Sequence, residues 1–235
     1  MRSAMGKKVL LMGLLVFSFT LITTKAQTLG GSFMIGSPQK EFGEYVDRLG
    51  YGFQLHGTFW TPGKLRPFTM GIDLGYLVYG METQSRPFSN TIPDVRVDVT
   101  HTNSLANFHL LFQVAPFEGT VRPYIEGLFG GAYLFTETEI ESEYSYDDIA
   151  RSTNFDDFTW SYGGGGGLLI QVAKDLGDVR KLFIDLHVRY LFGTNAEYLT
   201  QKSIVINPAN GDVTYFVSES ETDLLTFQIG VVAYF

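Results

Sequence analysis

The stretch LLTFQIGVVAYF, residues 224–235, decides the fold because it alternates strictly between two kinds of side chain. Bulky apolar groups fill one set of alternate positions, and mostly small or polar groups fill the other: Leu225, Phe227, Ile229, Val231, Ala233 and Phe235 against Thr226, Gln228, Gly230, Val232 and Tyr234. A period of two is the side-chain period of a β-strand. The segment therefore predicts a strand with one strongly apolar face.

The composition favours a single domain and argues against nucleic-acid binding. Of 235 residues, 45% are hydrophobic and 15% are aromatic, which is enough for one core. The formal net charge of −8 opposes binding to nucleic acid, which needs a basic face. Cysteine is absent, so the chain has neither a disulfide nor a cysteine for lipid attachment after a leader.

Residues 1–26 have the pattern of a cleavable secretory signal peptide. Basic residues precede an apolar run from Val9 to Ile22, and short side chains follow it up to Ala26. The run is shorter than the ~20 residues that a membrane-spanning helix needs. We therefore expect the mature domain to comprise residues 27–235.

Eight segments of the mature chain alternate with period two, and long and short connections alternate between them. The predicted strands are Thr28 to Gly36, Leu49 to Thr61, Pro67 to Gly80, Thr102 to Ala115, Arg122 to Thr136, Phe158 to Ala173, Lys181 to Thr194 and Thr222 to Phe235. An even number of strands, with short turns at one end and long loops at the other, is typical of transmembrane β-barrels whose termini face the periplasm. The sequence thus predicts an all-β fold, an eight-stranded antiparallel up-and-down transmembrane barrel.

The two faces of the predicted strands indicate that the apolar face is directed outwards. In the seventh strand, the alternate positions from Leu182 to Phe192 are all apolar, whereas the opposite face carries charges. A charge facing lipid at mid-depth costs about 2 to 4 kcal/mol, and the predicted strands avoid one. A soluble barrel would instead carry scattered charges outside and apolar groups inside. Aromatic residues are expected at both interfaces: Tyr51, Tyr76, Tyr133, Trp160, Tyr162, Tyr190 and Phe192 at the outer rim, and Phe59, Phe68, Phe117 and Phe235 at the inner rim.

On these residues the mature chain resembles the small eight-stranded outer-membrane barrels of the OmpA transmembrane domain and OmpX type. The matching pieces are the Ala26-Gln27 boundary, the strand entry Arg122–Gly127, the glycine-rich strand near Gly163 and the terminal Ala233-Tyr234-Phe235. The resemblance implies an outer-membrane address, contact with lipid and lipopolysaccharide, and insertion by the barrel assembly machinery through the terminal strand. Tyr234 and Phe235 would then form the insertion signal. A fold of this kind does not by itself define a function.

The alternation of side chains along the strands places a set of polar residues on the inner face, where opposite charges can pair. The expected lumen network consists of His56, Asp73, His109, Glu126, Asp185, His187 and Arg189. One interpretation is a structural plug, because eight strands leave an interior just wide enough for side chains. The other is a gated ion pathway in which Arg189 switches partners between Asp185 and another acid.

The third long loop is the most acidic part of the sequence. Its candidate contacts for a divalent cation or a ligand are Glu137, Glu139, Glu141, Glu143, Asp147 and Asp148. Carboxylates at the height of the lipopolysaccharide head groups could hold bridging cations. The alternative is a solvated extension of the fifth strand, since the loop lacks ordered metal-ligand spacing. We expect no resident metal and no cofactor.

Three functions remain open on the sequence alone. The first is a monomeric, non-enzymatic surface protein with a role in surface binding, adhesion or envelope integrity, whose partners are lipopolysaccharide, an extracellular ligand or an envelope protein. The second is a narrow gated channel or a secretion accessory. The third is a hydrolase at the barrel rim, for which His101, Ser104 and Asp98 form the nearest His/Ser/Asp grouping. The run Gly163–Gly167 lacks the lysine of a phosphate-binding loop, and we interpret it as room for large neighbours.

Overall fold

A computed structural model describes residues 27–89, 92–142, 145–201, 203–206 and 213–235. The predicted leader, residues 1–26, lies outside the described residues. The elements in chain order are β1 Thr28–Pro38, α1 Lys40–Val46, β2 Gly50–Thr58, β3 Phe68–Ser89, β4 Ile92–Val114, β5 Val121–Ser142, β6 Ser145–Leu176, β7 Val179–Gly193, β8 Asn195–Tyr198, β9 Ile204–Ile206, β10 Val213–Tyr215, β11 Ser218–Glu221 and β12 Leu224–Tyr234.

Eight of these strands close into one antiparallel barrel in the order β1-β12-β7-β6-β5-β4-β3-β2. Each strand of the barrel pairs with the barrel strands before and after it, so that β7 pairs with β12. Strand β12 closes the barrel on β1 from Thr28↔Tyr234 to Pro38↔Leu224. The predicted eight-stranded up-and-down barrel is therefore confirmed. Closure leaves no unpaired strand edge in the wall, as a β-structure within lipid requires.

The closing strand β12 has the two faces that its sequence predicts. Phe227, Ile229 and Val231 are exposed on the outside, whereas Thr226 and Gln228 are buried in the lumen. The other barrel strands behave in the same way, with exposed apolar side chains such as Phe53, Leu74 and Phe129 on the outer wall. An apolar exterior around a polar interior inverts the arrangement of a soluble barrel and is that of a transmembrane β-barrel.

The aromatic residues divide between the two ends of the barrel as expected. Tyr51, Trp160 and Tyr162 are exposed towards the end that carries the long connections, and Phe59 and Phe117 are exposed towards the short-turn end. Because outer-membrane barrels place their short turns in the periplasm, we call these the extracellular end and the periplasmic end. No helix among the described residues is long and apolar enough to cross a bilayer.

The long connections differ most from the sequence prediction. Residues 81–101 and 137–157, expected to be loops, mostly continue the strands, so that β3–β4 and β5–β6 form long hairpins. Ladder pairs continue beyond the end of the β2–β3 pairing at Tyr51↔Val78 as far as Ser89↔Ile92. Polar residues alternate along these segments, as in a strand with at least one face in water. This sequence pattern predicts a strand less clearly than the apolar alternation of the membrane-facing wall does.

The first and last long connections fold over the extracellular mouth. The first contains α1, whose Phe42 and Val46 lie four residues apart and are buried on one face. Gly43 is required within this short helix, because a Cβ there would lie 2.8 Å from the Pro38 carbonyl oxygen. The last connection contains the two small sheets β8–β11 and β9–β10.

Candidate functional site

The middle of the lumen holds a buried ion-pair network centred on Arg189 of β7. Its Nη2 donates to Glu126 Oε2 at 3.1 Å, its Nε donates to the other oxygen of Glu126, and its Nη1 donates to Asp73 Oδ2 at 3.0 Å. Gln54 also donates to Asp73. Arg189 is only 2% exposed and Asp73 only 1% exposed, so these charges are compensated by each other rather than by water.

A second polar group lies beside the first, around Asp185. Tyr124 donates its hydroxyl proton to Asp185 Oδ1 at 2.8 Å, and His187 Nδ1 lies 2.9 Å from Asp185 Oδ2. The expected Arg189–Asp185 pair does not form, because these side chains are occupied by different partners. Arg189 is paired with Glu126 and Asp73 instead, and a switch between Asp185 and another acid stays a prediction. Tyr124 was missed, although it shares the inward parity of Glu126.

The two remaining histidines of the predicted network flank Asp73 on the neighbouring strands β2 and β4. His109 Nδ1 is 4.0 Å from Asp73 Oδ1, and His56 is buried against the backbone of Gly30. Neither nitrogen of His109 has a hydrogen-bond partner among the described residues. The structure thus places all seven predicted lumen residues inside the barrel, and it divides them between the Arg189 group, the Asp185 group and these histidines.

The glycine-rich part of β6 makes this close contact between strands possible. Gly165 pairs with Glu126 on one side and with Arg189 on the other, so the glycine lies between the two charged residues. A Cβ at Gly165 would come within 2.8 Å of Arg189 Cγ and 2.3 Å of the Val188 carbonyl oxygen. The glycines therefore leave room for large neighbours, as expected.

Two apolar layers enclose the polar network along the barrel axis. On the extracellular side lie the buried residues Met34, Leu77, Leu111, Leu128, Leu191 and Leu224. On the periplasmic side lie Ala115, Tyr124, Leu169, Phe183, Val232 and Tyr234. An ion that crossed the barrel would have to leave water for these layers, which is costly without polar partners. The arrangement favours the interpretation of the lumen as a structural plug.

The extracellular mouth is closed by a cap that α1 and the last connection form together. The Phe42 ring packs edge-on against Tyr79 at 5.6 Å and Tyr198 at 5.0 Å. Tyr198 also shares a 2.7 Å hydrogen bond with the Ser220 hydroxyl. Burial raises the pKa of the Tyr198 hydroxyl to about 12.

Asp223, which the sequence did not single out, fastens the cap to the barrel. Its carboxylate accepts hydrogen bonds from the Tyr190 hydroxyl at 3.0 Å and the Gly193 backbone N–H at 3.2 Å. Lys40 Nζ at the start of α1 lies 2.8 Å from the same carboxylate. The side-chain hydrogen bond to Asp223 raises the pKa of Lys40 above its ordinary value of 10.5. One buried carboxylate thus connects α1, β7 and β12.

The acidic residues of the third connection lie on the β5–β6 hairpin. Glu137 and Glu139 occupy β5 above the rim and are partly exposed. Glu141 lies in β5, and Asp147 and Asp148 lie in β6, but their side chains are outside what the structure describes. Glu143 is itself outside the described residues. The described part of the chain contains no group of three His, Asp or Glu side chains that could hold a metal ion.

The candidate hydrolase residues do not come together. His101 Nδ1 lies 2.6 Å from the Thr138 hydroxyl on the inner face of the sheet, and the Ser104 hydroxyl is hydrogen-bonded to Tyr76 at 2.8 Å on the outer face. Residues three apart in a strand point in opposite directions. Ser104 is also completely buried, so this grouping provides no nucleophile and base in contact.

Tyr234 and Phe235, the expected insertion signal, lie at the periplasmic rim on opposite faces of the wall. Tyr234 is buried in the lumen with its ring 4.7 Å from that of Phe183, whereas Phe235 is 38% exposed on the outside. Tyr234 therefore contributes to the lower apolar layer of the folded barrel. Recognition of this end by the assembly machinery stays a prediction.

No family model and no curated protein matches the chain. Among solved structures, it is similar to the Yersinia pestis attachment invasion locus protein Ail in complex with the heparin analogue sucrose octasulfate, with 12% identity and a TM-score of 0.37 over 90% of this chain and 100% of that one. Neisserial surface protein A is 10% identical, with a TM-score of 0.39 over 89% of this chain and 97% of that one. A major outer membrane protein of Thermus thermophilus is 11% identical, with a TM-score of 0.38 over 89% of this chain and 100% of that one. With TM-scores this low, none of these similarities bears on function, and the assignment of a transmembrane barrel rests on the strand pairing and on the two faces of the wall.

Proposed function

We propose that the chain is a non-enzymatic outer-membrane protein that binds a basic partner at the cell surface through the extracellular sheet formed by β3 to β6. The single observation that carries this proposal is the continuation of these four strands beyond the membrane-facing wall. The β4–β5 ladder runs without a break from Val114↔Ile125 in the wall to Val97↔Ser142 above it. The barrel is then the anchor of this sheet.

The height of the sheet supports a role at a distance from the membrane. Strand β3 continues for about ten residues past its last pair with β2, and a strand rises about 3.3 Å per residue, so the extension adds roughly 30 Å along the strands. Ordering this much backbone is entropically costly. Burial of Val97 and Val99 of β4 offsets part of this cost.

The charge of the exposed surface supports a basic partner. The carboxylates that are at least partly exposed at this end outnumber the exposed cations Lys40 and Arg48 among the described side chains; they are Glu41, Glu44, Asp47, Glu82, Asp98, Glu137, Glu139, Asp156, Asp157, Glu197, Glu219 and Glu221. A surface of one sign attracts partners of the opposite sign and repels those of the same sign. A cationic protein segment therefore suits it better than a polyanion. Contact with lipopolysaccharide phosphates would need bridging divalent cations.

The test uses a matched set of charge variants in intact outer membranes. The surface variant is Glu137→Gln with Glu139→Gln and Asp156→Asn, and the control is Asp175→Asn with Asp178→Asn in the periplasmic turn. The probe is a fluorescent oligolysine peptide added outside the cells. We expect saturable, salt-sensitive binding to cells with the wild-type protein and with the control, and weaker binding to the surface variant. Equal binding to all three, or to cells without the protein, would contradict the proposal.

A further inference from the structure

The periplasmic mouth of the barrel contains a basic cavity that the proposed surface function does not use. Its volume is about 230 Å³, and it opens below the lower apolar layer. Three cationic side chains line it, Arg122, Arg180 and Lys181, together with the carboxylate of Glu118. The terminal residues Tyr234 and Phe235 form part of its wall.

Arg122 is held in a fixed position at the inner end of this cavity. Its guanidinium carbon lies 4.9 Å from the Phe183 ring centroid and 5.6 Å from that of Tyr234. Its Nε donates to the Gly119 carbonyl oxygen at 3.1 Å. The side chain is only 4% exposed, so it has little freedom to move.

The cations of the cavity form no close ion pair in the described part of the chain, although the carboxylates of Glu118 and of the last residue, Phe235, lie in the same lining. None of Arg122, Arg180 and Lys181 forms an ion pair there. The side-chain carboxylate in the lining, that of Glu118, accepts a 2.9 Å hydrogen bond from the Lys64 backbone N–H and so holds two periplasmic turns together. A buried guanidinium is normally paired with an anion, because an isolated buried charge is costly.

We propose that this cavity binds the phosphodiester head group of an anionic phospholipid from the inner leaflet of the outer membrane. An arginine fork and a lysine are the side chains that recognise phosphate oxygens best. The cavity lies at the height of the inner aromatic residues, which mark the level of the head groups. Phe235 lines both this cavity and an apolar groove of about 460 Å³ on the outer wall, formed with Leu29, Phe59 and Ile72, and the groove accepts an acyl chain.

The experiment compares lipid retention by three forms of the refolded barrel. The protein is extracted from vesicles of equal phosphatidylglycerol and phosphatidylcholine, and retained lipid is measured by native mass spectrometry. The site variant is Arg180→Gln with Lys181→Gln, whose side chains are not buried in the core. The control is Lys64→Gln with Lys174→Gln, which removes the same charge at the same end without touching the cavity.

We expect the wild type and the control to retain phosphatidylglycerol in preference to phosphatidylcholine. Retention by the site variant should fall about tenfold, because a hydrogen bond to a charged group contributes roughly the free energy of a tenfold change in affinity. Equal loss in the control would show a general surface effect and overturn the proposal, and so would the absence of any preference in the wild type. Millimolar inorganic phosphate is the second probe: if it protects the barrel against unfolding while no lipid is retained, the site binds a soluble phosphate and the lipid assignment is wrong.

Discussion

Arg189 of β7 forms a two-point ion pair with Glu126 of β5, although a whole strand lies between them. The contact is possible because the residue between them in β6 is Gly165, which has no side chain to separate the two. The same guanidinium reaches Asp73 on β3, so one arginine links distant parts of the wall. This network braces the barrel, and it carries several consequences that can be measured.

Arg189→Met should destabilise the folded barrel by about 3 to 5 kcal/mol, because it leaves the buried carboxylates of Glu126 and Asp73 without a counterion. The measurement is the free energy of unfolding from urea titration in detergent micelles. Glu139→Gln, which alters a partly exposed carboxylate on the β5 extension, serves as the control and should change little. A loss below about 1 kcal/mol for Arg189→Met would show that the network is not a brace.

Gly165→Ala should destabilise the barrel by about 1 to 3 kcal/mol, the usual cost of overpacking, because the new methyl group collides with Arg189 and with the backbone of β7. Gly127→Ala in β5 is the matched control, since a Cβ there would have its nearest neighbour at 3.9 Å. Unfolding titrations of the two variants check the difference. If both are equally tolerated, steric room at Gly165 is unimportant.

The wild-type barrel should give no ion conductance in planar bilayers, because apolar layers close the lumen above and below the polar network. Arg189→Ala should also be silent, since it changes neither layer. Reproducible single-channel steps from the wild type, altered by this substitution, would favour the narrow channel instead.

Asp223→Asn should loosen the extracellular cap while leaving the barrel intact, because the buried carboxylate connects α1 to β7. We expect cleavage by an added protease within residues 37–49 or 195–223 to accelerate on the order of tenfold, as loss of a charge-assisted contact favours local opening. Glu219→Gln, at an exposed site in the same connection, should cleave at the wild-type rate. An unchanged cleavage rate in Asp223→Asn would show that Asp223 does not fasten the cap to the barrel.

The Lys40–Asp223 contact also has a defined pH dependence. The folded-state pKa of Lys40 is raised above 10.5 by its hydrogen bond to Asp223, so the stabilisation is fully present at neutral pH. It is lost as the pH rises through the raised pKa. Protease sensitivity of the cap should therefore increase above pH 10.5 in the wild type and much less in Lys40→Met. The opposite order would contradict the assignment.

Much of the wall could be predicted from the sequence, because lipid outside and a narrow polar lumen inside impose a strict period of two on every strand. The inward positions of Asp185 and Arg189 follow from that period alone. Their partners do not, since the register between strands decides that Arg189 meets Glu126 across Gly165. The alternation of side chains along each strand therefore predicts which residues belong to the network, but not which of them pair.

The extracellular structure was harder to predict for a different reason. Residues 81–101 and 137–157 extend as strands in water, where no lipid imposes an apolar face. Helix α1 has only seven residues, contains Gly43 and has no side-chain hydrogen bond at its N-cap, so local signals for it are weak. Asp223 acquires its role only through tertiary contacts with Lys40 and Tyr190.

The central claim is that the outer wall faces lipid while the polar face is sealed inside, and neighbouring residues of β12 test it most directly. Because the chain has no cysteine, Ile229→Cys and Gln228→Cys each give one labelling site for a fluorophore in the refolded barrel. Ile229 is 56% exposed and Gln228 is 6% exposed. Brominated lipid acyl chains should quench the label at 229 strongly and the label at 228 weakly. Stronger quenching at 228, or a folded protein that stays in solution without detergent or lipid, would contradict the account.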